Sequence, residues 1–181
     1  MQALLLRSYC DMNSTSFFKA LASLFILTAV LTGCSEGGRT LLQVGEKAPP
    51  FTLTLIDGKQ SRLDMYAGKG LVITFMSSWC PCSNESIPLM KEAYFKHRND
   101  DVAFLMIGIQ DAESKFEKFV AKWKVPFSAG YDEDDKIARD YGVGSPPTTI
   151  FIDKTGVVKR AFYGNIAKKD KEFPLWVEEI L

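Results

Sequence analysis

The sequence predicts an α/β domain in which a mixed central β-sheet carries helices on both faces. Two continuous apolar runs, Leu71–Met76 and Val102–Ile109, are typical of fully buried central strands. Segments with helical spacing of apolar residues lie between and after these runs, so strands and helices alternate along the chain. Two further strands joined by the Asp153–Gly156 turn are expected to be antiparallel, which makes the predicted sheet mixed.

The composition suits one folded domain and argues against several classes of function. The chain has 181 residues and is 46% hydrophobic, which is enough for a real core. Its 22 basic and 22 acidic residues give zero net charge, so the chain lacks the excess of positive charge that is typical of nucleic-acid-binding proteins. One His argues against His-rich metal sites, and four Cys are too few for a disulfide scaffold. We therefore predict no metal site, no cofactor and no nucleic-acid partner.

Residues 1–33 are typical of a secretory signal peptide. Arg7 and Lys19 precede an uncharged apolar run from Ala20 to Thr32. As a helix this run would span about 20 Å, short of the roughly 30 Å hydrocarbon core of a bilayer, so a signal peptide fits better than a transmembrane helix. Translation could start at Met1, in which case cleavage removes Cys10, or at Met12, in which case Cys10 is never translated.

The tetrapeptide Leu31-Thr32-Gly33-Cys34 follows this run and resembles the lipobox of bacterial lipoproteins. In such proteins the cysteine is acylated, and two or three acyl chains give stable anchoring. The alternative is an uncleaved hydrophobic anchor with an incidental cysteine. We predict a signal peptide over 1–33, a lipidated tether from Cys34 over 34–45, and a domain over 46–181. The domain would face the periplasmic side of the cell envelope.

The predicted domain begins with a hairpin, because strand-like segments Phe51–Leu55 and Gln60–Leu63 flank an Asp57-Gly58 turn. A helix from Ser83 to about His97 follows the first central strand, and its internal Pro88 should kink it. After the second central strand the predicted elements are helix Glu113–Trp123, helix Asp134–Tyr141, strands Thr148–Ile152 and Val157–Tyr163, and helix Lys168–Leu181.

Two polar features are predicted to be structural. His97 is expected to be a solvated cation at its helix C-terminus, where a positive charge is favourable. The acidic run Asp132–Asp135 is expected to cap a helix, since it lacks the spacing of a calcium-binding loop.

The most informative segment is Cys80-Pro81-Cys82, which lies where the first central strand ends and a helix begins. A helix N-terminus presents unpaired N–H groups and a partial positive charge, and both stabilise a thiolate. A thiolate here would be a competent nucleophile at neutral pH. The alternative is a pair of buried, inert cysteines, which would be a poor way to fill a core.

The segment from Val44 to Ile180 resembles the thioredoxin-like redoxins of the TlpA/ResA and AhpC/TSA groups. Val44–Leu53 resembles their G-x-x-A-P-x-F-x-L motif and is followed by Asp57-Gly58-Lys59. Tyr141–Asp153 resembles their Y-G-V-x-x-x-P-T-T-F-L-I-D motif. The resemblance implies a thioredoxin-like fold with an N-terminal β-hairpin extension.

The resemblance also implies the activity of an extracytoplasmic thiol-disulfide oxidoreductase acting on protein thiols and disulfides. Cys80 would attack a substrate disulfide, and Cys82 or an external thiol would release the product. The family suggests a reductive role, such as keeping apocytochrome c or other exported thiols reduced, with electrons from a membrane-borne donor. In the family the proline before Thr148 is cis and lies beside the bound substrate, so Pro146–Pro147 is the predicted cis bond. The implied substrate-binding residues are Trp79, Pro81, Pro146, Pro147 and Thr148.

The cysteine motif is one residue shorter than the family's W-C-x-x-C. In a gapped alignment Cys82 is the resolving thiol, whereas in a gapless alignment, which we favour, Ser83 takes that position and Pro88 matches the family's kinking proline. Side chains two residues apart on a helix diverge, so a Cys80–Cys82 disulfide would be strained. It would then be more oxidising than a relaxed pair, or form only transiently.

A second departure concerns proton transfer. Thr74 stands at the position where thioredoxin has a buried aspartate that moves protons, so that relay is expected to be absent. Glu85 or a water molecule could replace it.

Two other functions stay open on the sequence. A peroxidase would use Cys80 to attack peroxide through a sulfenic acid, although no Pro precedes Ser77 as the peroxiredoxin motif requires. A Cu(I)-binding protein would use Cys80 and Cys82 as soft ligands, although no His follows His97 in the chain.

Overall fold

The computed structural model describes residues 40–181. The predicted signal peptide, Cys10 and Cys34 therefore lie outside the described residues. Within residues 40–181, no helix has both the length and the apolar composition needed to cross a bilayer.

The described chain alternates strands and helices, as the sequence predicts. The strands are β1 (Thr52–Thr54), β2 (Gln60–Arg62), β3 (Gly70–Met76), β4 (Val102–Gly108), β5 (Ser128–Tyr131), β6 (Thr148–Ile152) and β7 (Val158–Tyr163). The α-helices are α1 (Pro81–His97), α2 (Glu113–Trp123), α3 (Lys136–Asp140) and α4 (Glu172–Glu178). Short 3₁₀ turns lie at Leu63–Tyr66, Glu133–Asp135 and Ile166–Lys169.

The main sheet has the strand order β5-β4-β3-β6-β7. Strand β3 pairs in parallel with β4, and β4 with β5, whereas β6 is antiparallel to both β3 and β7. Strands β1 and β2 form a separate antiparallel hairpin that contacts the sheet through a bridge between Leu55 and Gly130. The predicted mixed sheet and N-terminal hairpin are confirmed.

Strand β3 is buried along its whole length because both faces of the sheet are covered. On one face Leu71, Ile73 and Phe75 pack with residues of the N-terminal hairpin and α3. On the other face Val72 and Met76 pack with apolar residues of α1, α2 and α4. Alternate side chains of a strand point to opposite faces, so one apolar run serves two cores.

This topology brings three loops together at one edge of the sheet. Parallel strands β3 and β4 end at the same edge, so the loops 77–80 and 109–112 that follow them are neighbours. Antiparallel β6 begins at that edge, which places the loop 144–147 beside them. Cys80, the first cysteine of the predicted motif, ends the first of these loops, and Pro81 and Cys82 begin α1.

Several predicted boundaries differ from the structure. Strand β5 was not expected, because its short sequence Ser128–Tyr131 has little apolar character of its own and is buried by the hairpin packed against Gly130. The predicted last helix is interrupted, since the 3₁₀ turn 166–169 and α4 are separate elements. Helix α1 begins earlier than predicted, at Pro81, a residue well suited to the first helical position.

The expectation for His97 was wrong, whereas that for the acidic run was partly right. His97 is only 3% exposed, and its Nδ1 lies 2.8 Å from Asp100 Oδ2, so a neighbouring carboxylate rather than solvent is its partner. Asp132 caps α3, accepting hydrogen bonds from the amides of Ile137 and Ala138 at 3.0 and 2.8 Å. Asp132 is itself buried, not solvated, and this burial raises the pKa of its carboxyl.

Candidate active site

Cys80 occupies the N-cap position of α1, with extended backbone angles of φ −83° and ψ 119°. The strand β3 ends at Met76, and a short loop then turns the chain into the helix, whose first residue is Pro81. The Cys80 side chain is 8% exposed, and its thiol donates to the carbonyl oxygen of Pro146 at an Sγ–O distance of 3.8 Å. The nucleophile candidate therefore lies in contact with the loop before β6.

The predicted cis peptide bond between Pro146 and Pro147 is confirmed. Hydrogen bonds hold the loop on both sides of this bond. Thr148 Oγ1 donates to the carbonyl oxygen of Ser145 at 2.8 Å, and the amide of Gly164 donates to that of Pro147 at 2.8 Å. The structure thus brings together Cys80 and three of the predicted substrate-binding residues, Pro146, Pro147 and Thr148.

Trp79 precedes the nucleophile candidate and is 58% exposed. Its indole Nε1 donates to the carbonyl oxygen of Gln110 at 2.7 Å, which fixes the ring at the surface beside Cys80. An exposed aromatic ring of this kind offers apolar area to a bound partner. Pro81, the remaining predicted substrate-binding residue, is exposed at the start of α1.

Asn84, which the sequence analysis missed, attaches the cysteine loop to the body of the domain. Its Nδ2 donates to the carbonyl oxygens of Cys80 and Ser78 at 2.9 and 3.3 Å. Its Oδ1 accepts a hydrogen bond from Trp123 Nε1 at 3.0 Å, so the last residue of α2 supports the same loop. The only sequence signal was an asparagine in the first turn of a helix, which does not reveal these partners.

The loop after β4 supports the cysteine loop as well, and its residues were also missed. Ser77 Oγ donates to the carbonyl oxygen of Ile109 at 2.5 Å, and the amide of Ser78 donates to Asp111 Oδ2 at 2.6 Å. Together with the bond from Trp79, these contacts join three consecutive residues of one loop to the neighbouring loop. The backbone that carries Cys80 is thereby positioned before any substrate binds.

The two residues after Pro81 differ sharply in environment. Cys82 is partly exposed, and both its thiol and that of Cys80 are free. Ser83 is fully buried, and its Oγ accepts a hydrogen bond from the amide of Ser77 at 3.4 Å. A buried Ser83, with Pro88 inside α1, fits the gapless alignment.

Below the site, position 74 is a threonine, so no buried carboxylate lies there. The Thr74 hydroxyl pairs instead with that of Thr149 at 2.7 Å. Glu85 is exposed, and its Oε2 accepts a hydrogen bond from Asn165 Nδ2 at 2.5 Å. Ser86 Oγ lies within hydrogen-bond distance of both the Cys82 carbonyl oxygen and Asn165 Oδ1, at 2.7 and 3.1 Å. Among the described residues, no group of three or more His, Cys, Asp or Glu side chains is arranged to hold a metal ion.

Comparison with known proteins gives concordant matches. The AhpC/TSA family matches residues 44–161. Thiol-disulfide oxidoreductase ResA from Geobacillus thermodenitrificans is 36% identical over 133 residues, which are 73% of this chain and 76% of that protein. Its counterpart from Bacillus cereus is 32% identical over 160 residues, covering 82% of this chain and 92% of the relative. A crystal structure from Chlorobium tepidum, assigned as thiol:disulfide interchange protein DsbE, shares the fold with a TM-score of 0.73 at 24% identity. That match covers 77% of this chain and 98% of the other.

Proposed function

The chain belongs to the AhpC/TSA family and is a thioredoxin-like thiol-disulfide oxidoreductase, and we propose that Cys80 is its attacking nucleophile. The observation that carries this proposal is the position of Cys80, at the N-terminus of α1 with its thiol against Pro146. The amides of the first helical turn and the helix dipole favour a negative charge at this point.

The proposed reaction begins when the Cys80 thiolate attacks one sulfur of a substrate disulfide. The bond between the two substrate sulfurs breaks, one substrate sulfur leaves as a thiolate, and Cys80 is joined to the other in a mixed disulfide. A second thiolate, from Cys82 or from an external dithiol, then attacks the Cys80 sulfur and releases the second substrate thiolate. The substrate gains two electrons. Cys80 and Cys82 supply them together when they become a disulfide, or an external dithiol supplies both when it is oxidised to its own disulfide and Cys80 is regenerated.

We propose that the substrate is a disulfide in an extended protein segment. Such a segment can lie between Trp79 and the loop that carries Pro146, Pro147 and Thr148, with its sulfur at Cys80. The exposed Trp79 ring supplies apolar contact area. The positions of these residues around Cys80 support Trp79, Pro81, Pro146, Pro147 and Thr148 as substrate-binding residues. We call the proposed binding region between Trp79 and the cis-proline loop the substrate groove.

We propose that the net direction is reduction of the substrate. A Cys80–Cys82 disulfide formed by thiols two residues apart would be strained and easily reduced. This strain makes the couple more oxidising and so by itself opposes reduction of the substrate. The proposed direction therefore rests on the reductive role that the family resemblance suggests and on a donor that keeps Cys80 and Cys82 as thiols. A membrane-borne dithiol donor would return the electrons, and the substrates would be apocytochrome c or other exported protein thiols.

We propose that the enzyme works outside the cytoplasm, anchored by lipid at Cys34. The supporting observations are the lipobox-like tetrapeptide that ends at Cys34 and the apolar run before it. In a cell that processes lipoproteins, the wild-type chain is expected to incorporate radiolabelled palmitate, and replacing Cys34 by alanine should abolish this incorporation. Replacing Cys10 by alanine is the control and should leave the incorporation unchanged. Equal labelling of the Cys34 variant and the wild type would contradict the lipid anchor.

The activity is tested by insulin reduction with dithiothreitol as the electron source. The full chain should accelerate insulin precipitation well above the rate with dithiothreitol alone. A parallel assay with hydrogen peroxide in place of insulin tests the peroxidase alternative. Rapid peroxide consumption without insulin reduction would overturn the proposed function in favour of that alternative.

A further inference from the structure

Gln110 links the cysteine loop to the loop that carries the cis proline. It follows Ile109 at the end of β4 and is exposed at the surface. Its carbonyl oxygen accepts the indole N–H of Trp79 at 2.7 Å, and its side-chain Nε2 donates to the carbonyl oxygen of Gly144 at 2.9 Å. One residue therefore contacts both loops that border the Cys80 thiol.

The backbone conformation of Gln110 is also specified. Its φ is +50°, in the left-handed region that few residues other than glycine adopt. The amide of Gln110 donates to Asp135 Oδ1 at 2.8 Å, which holds this conformation from the far side. Such a backbone persists only where its surroundings fix it, so the direction of the Gln110 side chain is set by the fold.

Consecutive carbonyl oxygens of the cis-proline loop all accept hydrogen bonds. Those of Gly144, Ser145, Pro146 and Pro147 accept from Gln110, Thr148, Cys80 and Gly164 respectively. The bond from Cys80 exists only while its thiol is protonated, since a thiolate has no hydrogen to donate. When Cys80 reacts, the bond from Gln110 is, within residues 40–181, the remaining side-chain hydrogen bond between this loop and the loops 77–80 and 109–112.

We propose that Gln110 is a positioning residue that sets the width of the substrate groove between Trp79 and the cis-proline loop during the reaction. This inference rests on the proposed function of Cys80. Glycine has the greatest backbone freedom of any residue type, and Gly144 lies in the loop before Pro146. Removing the hydrogen bond from Gln110 therefore loosens this loop. An extended protein segment then binds less tightly, because the groove is less ordered. A small disulfide needs only the Cys80 sulfur and is unaffected.

The test compares two substrates in the full chain. Gln110→Glu is isosteric and replaces the amide donor by an acceptor, and Gln110→Gly removes the side chain while tolerating the positive φ. Both are expected to raise the KM for insulin roughly three- to tenfold, the worth of one hydrogen bond, with kcat within about twofold of wild type. The rate constant for reaction of the reduced enzyme with 5,5′-dithiobis(2-nitrobenzoate) should change by less than about twofold.

Two further variants separate positioning from a general loss of structure. Gln110→Lys supplies a new donor, and Lys124 shows that lysine can adopt the same backbone region in this protein, with φ +48°. This variant should restore the KM for insulin to within about twofold of wild type. Gln60→Glu is the matched control, because Gln60 is an exposed glutamine in the hairpin that donates to Thr54 Oγ1 at 2.9 Å. It should leave both substrates unaffected.

Hydrogen exchange provides a readout that does not depend on catalysis. The amides of Gly144 and Ser145 should exchange at least about threefold faster in Gln110→Gly than in Gln60→Glu. An unchanged insulin KM, a parallel loss with both substrates, or unchanged exchange in this loop would each overturn the role of Gln110. A wild-type chain that reduces neither substrate would instead overturn the proposed function of Cys80, and the exchange measurement would still decide the link to Gly144.

Discussion

Replacing Cys80 by serine is expected to lower insulin reduction to the rate of dithiothreitol alone. The serine hydroxyl stays protonated at neutral pH and cannot form a mixed disulfide, so the first covalent step is lost. Serine is close to cysteine in size, and the Cys80 side chain contacts only one carbonyl oxygen through a polar bond, at Pro146. The variant should therefore fold, which the unfolding midpoint in urea checks.

The matched control for Cys80→Ser is Cys82→Ser, since the two thiols are free and only one residue lies between them. The Cys82 variant should still react with 5,5′-dithiobis(2-nitrobenzoate) in its first step, at a rate within a few fold of wild type. If Cys80→Ser kept insulin reduction while Cys82→Ser abolished it, the two cysteines would have the opposite roles.

The second large effect concerns the redox potential of the cysteine pair. The Cys80–Cys82 couple is expected to be more oxidising by about 40 mV or more than a pair with the usual spacing. Strain of about 2 kcal/mol in a disulfide between residues two apart accounts for that difference, because 30 mV corresponds to about 1.4 kcal/mol for two electrons.

The reference for this comparison is the double variant Cys82→Ser/Ser83→Cys, which places the thiols three residues apart on the first turn of α1. Ser83 is fully buried, and a cysteine suits such a position because it behaves as a small apolar residue. Equilibration of both proteins with glutathione buffers, followed by thiol alkylation and mass spectrometry, gives the two potentials. Equal potentials would contradict the strain argument, and a more reducing wild type would reverse it.

The sequence predicted the core of the fold because the central strands have unambiguous patterns. Leu71–Met76 is short, rich in β-branched and aromatic residues and bounded by Gly70 and Ser77, which is typical of a strand covered on both faces, and the structure confirms this. Strand β5 and the break before α4 were not predicted, because both depend on packing between distant segments. The buried state of His97 was missed for the same reason, since a single histidine near a helix end has no pattern that indicates its burial.

The same physical difference separates the site residues that could be predicted from those that could not. The position of Cys80 at a helix N-terminus could be predicted from the residues around it, and the cis bond at Pro147 from the resemblance to the redoxin family. Gln110 and Asp111 could not, because they act through partners far away in the sequence. Asn84 could not, because its bonds to Ser78 and Cys80 leave no pattern in the sequence and its third partner, Trp123, is 39 residues away. Trp79 and Gln110, for example, are 31 residues apart, and Ser78 and Asp111 are 33 residues apart.

Trapping the mixed disulfide tests most directly whether Cys80 is the attacking nucleophile. The Cys82→Ser variant of the full chain, mixed with a disulfide-containing peptide and quenched by alkylation, should accumulate a covalent adduct, and mass spectrometry should locate its disulfide at Cys80. An adduct at any other cysteine, or a Cys80 thiol that is fully alkylated while the peptide is being reduced, would contradict the mechanism.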